Sequence, residues 1–185
     1  YIASSGGVNG TFLAKKYNIQ NSTSDYKNIL NDQNIDSVMI TTRHNTHSNF
    51  VIESLKSNKN VFVEKPLGIS KKEIDSIVST IAETGNSSLT LGFNRRFSPH
   101  SIKIDNLLGS NRNSLNIIAT MNAGYIEKNH WLNDLNIGGG RIVGEACHLI
   151  DLCIFFAKSK IKSVCMNSLG NDHNRDTDNA TILLK

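Results

Sequence analysis

The stretch from Asp36 to Glu64 constrains the fold most. It reads DSVMITT, a short β-rich apolar run, then the loop RHN, then a segment at 46–58 whose apolar set Phe50, Val51, Ile52 and Leu55 has helical spacing, and finally the β-rich run NVFVE. Strand, helix and strand within about thirty residues is the size of a βαβ unit, and a crossover of that kind makes its two strands parallel. Parallel strands are stable only when layers cover both faces, so the unit implies a layered α/β architecture.

The flanking segments extend the same rhythm. YIASS reads as the end of a strand, and residues 10–18 (GTFLAKKYN) and 25–31 (DYKNILN) have helical spacing, the second with Ser24 placed as N-cap. Ser70 and Glu73 have capping-box spacing at the start of an amphipathic helix running to Gly85, SLTLGF is a further strand, and a helix from Arg95 to about Leu108 ends at Gly109. Alternation through Leu108 predicts an open, doubly wound parallel sheet. Beyond it the rhythm changes: SLNIIATMNAG is a strand, a long loop reaches Gly138–Gly140, one helix spans roughly 140–157, and KSVCMNSL and NATILLK are strands with no helix between them. The expected division is an α/β domain over 1–109 and an α+β domain with a mostly antiparallel open sheet over 110–185. Because both termini read as strands in progress, a longer polypeptide is expected.

A chain of 185 residues is long enough to bury a core. Its formal charge is +4, but Lys and Arg are scattered among acidic residues and form only short runs, so no nucleic-acid footprint is expected. Its 3 cysteines are odd in number and lack CxxC spacing, which argues against a disulfide framework or a zinc site and fits a reducing cytoplasm. No apolar run of about 18 residues is present, so no membrane span is expected.

Ligands of an open parallel sheet bind beyond the carboxyl ends of its strands, where helix N-termini and unpaired N–H groups gather. The loops Thr41–His47 (TTRHNTH) and Glu64–Pro66 (EKP) open on that edge. Lys65, directly after an apolar strand and before Pro66, has two readings: an acid, base or electrostatic anchor at a desolvated rim, or a solvated partner of Glu64. His44 and His47 are read as loop hydrogen-bonders. Projected on a helix, Arg141, Gly144, Glu145, His148 and Asp151 share one stripe among apolar residues. That stripe faces either solvent, with i,i+3 pairs such as Glu145 with His148, or a ligand cavity; Gly144 clears space beside it, and His148 suits proton transfer.

VFVEKPL, GFNRRFSPH and GGGRIVGEACHLID, in this order and spacing, resemble the Gfo/Idh/MocA family of NAD(P)-dependent oxidoreductases over essentially the whole chain. The resemblance implies that 1–109 is part of a Rossmann dinucleotide-binding domain and 110–185 part of a C-terminal α/β substrate domain. It implies hydride transfer between NAD or NADP and a hydroxyl or ketone of a sugar, cyclitol or nucleotide sugar. Lys65 and His148 match the family's lysine and histidine at the reacting carbon. Thr41, Thr42, His44 and His47 match a loop that packs against the cofactor, joined by Glu64, and Asn94, Arg95 and Arg96 match the segment bordering nicotinamide and substrate.

Two departures stand out. The family motif has Asp four residues before the histidine; here that position is Gly144, and Glu145 is the candidate to supply the carboxylate. The usual strand and GxGxxG phosphate loop are missing, and Ser4 and Ser5 stand where an acidic residue would favour NAD, leaving room for the 2'-phosphate of NADP. The competing function is a dinucleotide-binding or regulatory module without chemistry. A metal-dependent hydrolase on His44, His47, His130 and His148 lacks metal-ligand spacing. Tyr125, His130 and Trp131, in the loop Ala123–Asp134, and Asp151 are candidates for the substrate pocket, with Trp131 equally readable as a packing anchor. The expected partners are a sugar-like small molecule and, through the C-terminal sheet, further copies of the chain.

Overall fold

A computed structural model describes residues 1–85, 87–110, 112–169 and 179–185. The chain opens with β1 (Ile2–Ala3), α1 (Val8–Lys16), β2 (Ser22–Thr23) and α2 (Lys27–Asn31). β1 and β2 pair in parallel, Ile2 against Ser22 and Ala3 against Thr23. The two-residue β2 carries no apolar signal, which is why sequence pattern misses it. Ser24 is not the cap of α2: Thr23 Oγ1 accepts from Asp25 N and Asp25 Oδ1 accepts from Lys27 N, so the entry is a side-chain-held turn one residue to either side.

Next come β3 (Ser37–Ile40), α3 (His44–Lys56), β4 (Asn60–Val63), α4 (Lys71–Thr84) and β5 (Leu89–Leu91). β3, β4 and β5 form a parallel sheet in that order, with Ile40 opposite Val63 and Val63 opposite Leu91. Val51 and Leu55 of α3, Val61 and Val63 of β4, Ile77 of α4 and Ile40 of β3 make one buried cluster. Each fully buried aliphatic side chain of this kind contributes about 1.5–3 kcal/mol relative to exposure. α4 starts with a complete capping box, Ser70 and Glu73 each satisfying the other's backbone N–H, and ends at Gly85 in the left-handed region.

α3 starts at His44, two residues earlier than its apolar spacing indicates, so His44 and His47 are helical rather than in a loop. The cause is tertiary: Asn45 N, an amide of the first turn without a helical partner, donates to Ile137 O at 3.0 Å.

The helix expected over 95–108 is divided. Asn94–Phe97 form a 3₁₀ turn, and α5 (Pro99–Leu108) begins after Ser98, whose hydroxyl caps Ser101 N. Pro99 disfavours helical backbone at the residue before it, which breaks the run at Ser98. SLNIIATMNAG is not a strand: no ladder reaches it among the described residues, and Ile118 lies open to solvent.

The helix expected over 140–157 is also divided. Ile142–Ala146 wind as a wide π-type turn, and α6 (Cys147–Ala157) continues from it. β6 (Val164–Ser168) and β7 (Ala180–Leu184) then pair antiparallel, from Val164 with Leu184 to Ser168 with Ala180. The architecture is thus a parallel α/β Rossmann-like region followed by helices and a small antiparallel sheet. Among the described residues no helix is long and apolar enough to cross a membrane.

Candidate functional site

The carboxyl ends of β3 and β4 are tied together by one buried ring. His47 Nδ1 meets Pro66 O at 2.7 Å and its Nε2 meets Thr42 O at 3.0 Å, so the loop after β3 and the loop after β4 are fixed to each other. Neither ring nitrogen is left for a ligand. Lys65 lies inside this clamp, and its Nζ donates to Gly144 O at 2.5 Å rather than pairing with Glu64. A lysine at the end of a parallel strand is therefore bridged to the π-type turn before α6.

His44 closes the same corner from the first turn of α3. Its Nδ1 lies 2.8 Å from Gly138 O. A carbonyl only accepts, so the ring proton is on Nδ1 and Nε2 carries the lone pair. Burial pushes the His44 pKa below its ordinary value, and the neighbouring His47 and Lys65 push the same way, against the Gly138 carbonyl and Glu145. The ring stands edge-on to Trp131, with centroids 4.9 Å apart, and the Arg43 guanidinium lies 5.5 Å from the Trp131 ring centre. Trp131 is thus a wall of this corner and packs at the same time.

Gly138 and Gly144 permit the approach. A Cβ on Gly138 would fall 2.4 Å from Leu132 Cα, so only a glycine brings that carbonyl to His44. A Cβ on Gly144 would fall 3.1 Å from His44 Cε1. The space beside Gly144 is therefore filled by the His44 imidazole.

On α6 the polar stripe faces inward. His148 and Asp151 are 8% and 5% exposed, more withdrawn than Leu149 or Ile150. The solvated-face reading, with Glu145 or Asp151 paired to His148, is thereby corrected. His148 Nδ1 is buried with no hydrogen-bond partner among the described residues, and the ring stands edge-on to Phe93 with centroids 6.1 Å apart. Burial first, then the charges of Lys65 and Arg95, push the His148 pKa below its ordinary value, while Glu145 and Asp151 oppose. Asp151 instead receives Arg96 in a two-pronged grip, Nε to Oδ2 at 2.6 Å and Nη2 to Oδ1. This pairing raises the Arg96 pKa and ties the turn after β5 to α6.

The other sequence candidates lie at different distances from this corner. Thr42 Oγ1 is 2.6 Å from Thr46 Oγ1 in the exposed rim; Thr41 and Asn94 are exposed as well. Glu64 N donates to Ile40 O in the sheet. Ser4 and Ser5 lie at the end of β1, with Ser4 Cβ 3.1 Å from where a Gly10 Cβ would stand. Tyr125 is fully at the surface, and His130 Nδ1 accepts from Leu132 N at 3.3 Å as a turn cap. Arg141 Nη1 donates to Gly124 O at 2.7 Å. No group of three metal-ligating side chains forms among the described residues.

The site so built holds an ammonium, an imidazole with an unsatisfied buried nitrogen and a second imidazole with a fixed lone pair around one turn of backbone. Such a set can bind a polar molecule and hold or pass a proton. The sequence did not disclose the Gly138 carbonyl or the His44–Gly144 contact; three consecutive glycines before a polar stripe were the available signal.

Residues 2–93 match the model of a family described as "Oxidoreductase family, NAD-binding Rossmann fold", GFO_IDH_MocA. An uncharacterized oxidoreductase of Bacillus subtilis strain 168, YrbE, is 34% identical over 95 residues, which are 51% of this chain and 28% of YrbE. The scyllo-inositol 2-dehydrogenase (NAD(+)) of the same strain is 36% identical over 87 residues, 47% of this chain and 25% of that protein. The solved structure of levoglucosan dehydrogenase in complex with NADH and levoglucosan superposes with a TM-score of 0.79 at 19% identity, covering 100% of this chain and 53% of that one. The chain therefore spans about half the length of that structure, and the curated alignments reach little more than a quarter of their relatives.

Proposed function

Because residues 2–93 match the family model of the Gfo/Idh/MocA oxidoreductases with their NAD-binding Rossmann fold, we propose that the protein is an NAD(P)-dependent oxidoreductase acting on a hydroxyl or ketone of a sugar, cyclitol or nucleotide sugar. One observation carries this reading: the buried, unpartnered Nδ1 of His148 lies on the helix whose opening turn is held by Lys65. An unsatisfied buried nitrogen is costly, by about 1–3 kcal/mol, unless a ligand completes it. The inositol dehydrogenases among the relatives and the levoglucosan complex support the substrate class.

The residues present suit the nicotinamide end of a dinucleotide. Thr41, Thr42 and Asn94 offer exposed polar groups at the strand ends, and the His47 clamp holds their loops in place. Ser4 and Ser5 at the end of β1 would accept a 2'-phosphate, which favours NADP without excluding NAD. When bound, the nicotinamide supplies the acceptor or donor of hydride. The rest falls to the chain itself. Lys65 stabilises negative charge on the substrate oxygen. His148, kept neutral by burial and by two nearby cations, takes the hydroxyl proton in oxidation and returns it in reduction. Glu145 tempers those cations from the same turn, and Tyr125 and His130 are proposed to border the substrate when it is bound.

The alternative, a dinucleotide-binding or regulatory module without chemistry, rests on Gly144 standing where the family motif has Asp. Intact protein mixed with NAD+ or NADP+ and a panel of inositols, anhydrosugars, pyranoses and nucleotide sugars tests the reading. Reduced nicotinamide should form with at least one of them, and Lys65→Ala or His148→Ala should lower turnover by about 10²–10⁴-fold with the melting transition retained. Unchanged turnover in both variants overturns the roles assigned.

A further inference from the structure

We propose that His44 is a specificity-determining residue: its Nε2 accepts a hydrogen bond from a second hydroxyl of the substrate, beside the one that Lys65 and His148 handle. The inference rests on the reading of this corner as a site for polyhydroxylated substrates.

Three contacts define what the ring can do. Gly138 O holds the proton on Nδ1. Cε1 occupies the space where a Gly144 side chain would stand. Trp131 meets the ring edge-on. Nε2 is the ring's remaining polar atom; no protein donor reaches it among the described residues and, unlike His148 Nδ1, it is open to solvent or to a ligand. An accessible lone pair held in one direction by the Nδ1 bond is placed to accept from a bound donor.

The neighbourhood selects the donor. Lys65 Nζ sits on the carbonyl of the same Gly144 that His44 touches, so an ammonium donor on the ligand would meet like charge. A carboxylate has no proton to give. A hydroxyl is neutral and donates. Lys65 reaches the Gly144 carbonyl and the His44 ring fills the space where a Gly144 Cβ would stand, so two hydroxyls of one ring can be held at once. Burial and nearby positive charge keep the imidazole neutral near neutral pH, so the lone pair is there to be used.

The test uses intact protein with ¹⁵N-labelled histidine, with NADH present, titrated with myo-inositol, methyl glucoside and analogues of each lacking one hydroxyl. Long-range ¹H–¹⁵N spectra, assigned with His44→Asn, should show the Nδ1-protonated neutral tautomer at His44 and a shift of Nε2 with a polyol. The shift should vanish with one particular deoxy analogue. In kinetics, His44→Asn keeps a donor for Gly138 O, but its shorter amide places no acceptor at the Nε2 position; KM should rise about tenfold with kcat within about threefold, and removing that one hydroxyl should cost wild type about tenfold and the variant nothing further. His44→Ala, which removes the acceptor outright, serves as second variant should His44→Asn misfold.

The Nε2-protonated tautomer, an Nε2 signal unmoved by every polyol, or equal sensitivity of wild type and variant to each deoxy analogue overturns the inference. An Nε2 shift without any turnover refutes the oxidoreductase reading and sustains the hydroxyl contact. Turnover with a silent His44 does the reverse.

Discussion

In the β3–α3–β4 unit the most deeply buried aliphatic side chains are Val51, Leu55, Val61 and Val63, whereas along α6 and its opening turn the buried residues are Gly144, His148 and Asp151, with Phe156 at the far end. The first set packs by shape and loses little if one aliphatic is exchanged for another. The second set is held by directed bonds, Lys65 to Gly144 O, His44 to Gly138 O and Arg96 to Asp151. One region supplies stability and the other consumes part of it to keep polar groups away from water. Proteins commonly divide labour between scaffold and site in this way.

If that division holds, Leu55→Ala should have the largest effect on stability. Leu55 is fully buried between sheet and helices, and the cavity should cost about 3 kcal/mol, lowering the melting temperature by roughly 6–12 °C. Asp151→Ala comes next. It leaves the Arg96 guanidinium without its carboxylate, but that side chain is 34% exposed, so solvent recovers part of the loss and about 1–2 kcal/mol is expected. Turnover should suffer more than stability, because the pair ties the turn after β5 to the helix bearing His148. Calorimetry and steady-state rates on both variants measure this. A greater loss of stability in Asp151→Ala than in Leu55→Ala would reverse the comparison.

The same contrast explains what could be read in advance. The βαβ unit was legible because hydrophobic spacing and strand length are local properties: Val51 and Leu55 mark the inward face of α3 without reference to the rest of the chain. Ser70 and Glu73 were legible for a similar reason, since a capping box lies within four residues. The start of α3 at His44 was not, because it depends on Ile137 O, more than ninety residues away in sequence. The π-type turn was not either. A projection at about 100° per residue assumes one winding throughout, whereas Ile142–Ala146 wind more widely beside the Lys65 bond to Gly144 O. Lys65 and His148 were singled out from sequence as residue types in suggestive places; that Lys65 bonds to the turn opening the helix that bears His148 required the fold. Residues 114–124 show the opposite failure, β-rich sequence that acquires no ladder among the described residues.

The smallest expected effect separates the two regions by pH. His44 and His148 both titrate below the ordinary histidine value in the folded chain, burial being the first cause in each. The unfolded chain therefore takes up protons first as pH falls through about 6.5, and stability is lost from there down to the folded values. Above about pH 6.5 both states leave the rings neutral and these groups contribute no slope. The sign is opposite to that of a histidine stabilised by a carboxylate, which would gain stability on acidification. Each ring exchanges less than one proton between the two states, so its slope stays below about 1.4 kcal/mol per pH unit. Asp105, held below the usual carboxylate range chiefly by Arg112 and then Lys158, and Asp32, held there by Asn34 N, act only in a more acidic window. Melting curves between about pH 7.5 and about pH 5 should thus slope downward on acidification, less steeply in His44→Asn and His148→Asn, and with wild-type slope in Leu55→Ala. An unchanged slope in both histidine variants would show that these rings do not bear the electrostatic cost assigned to the site.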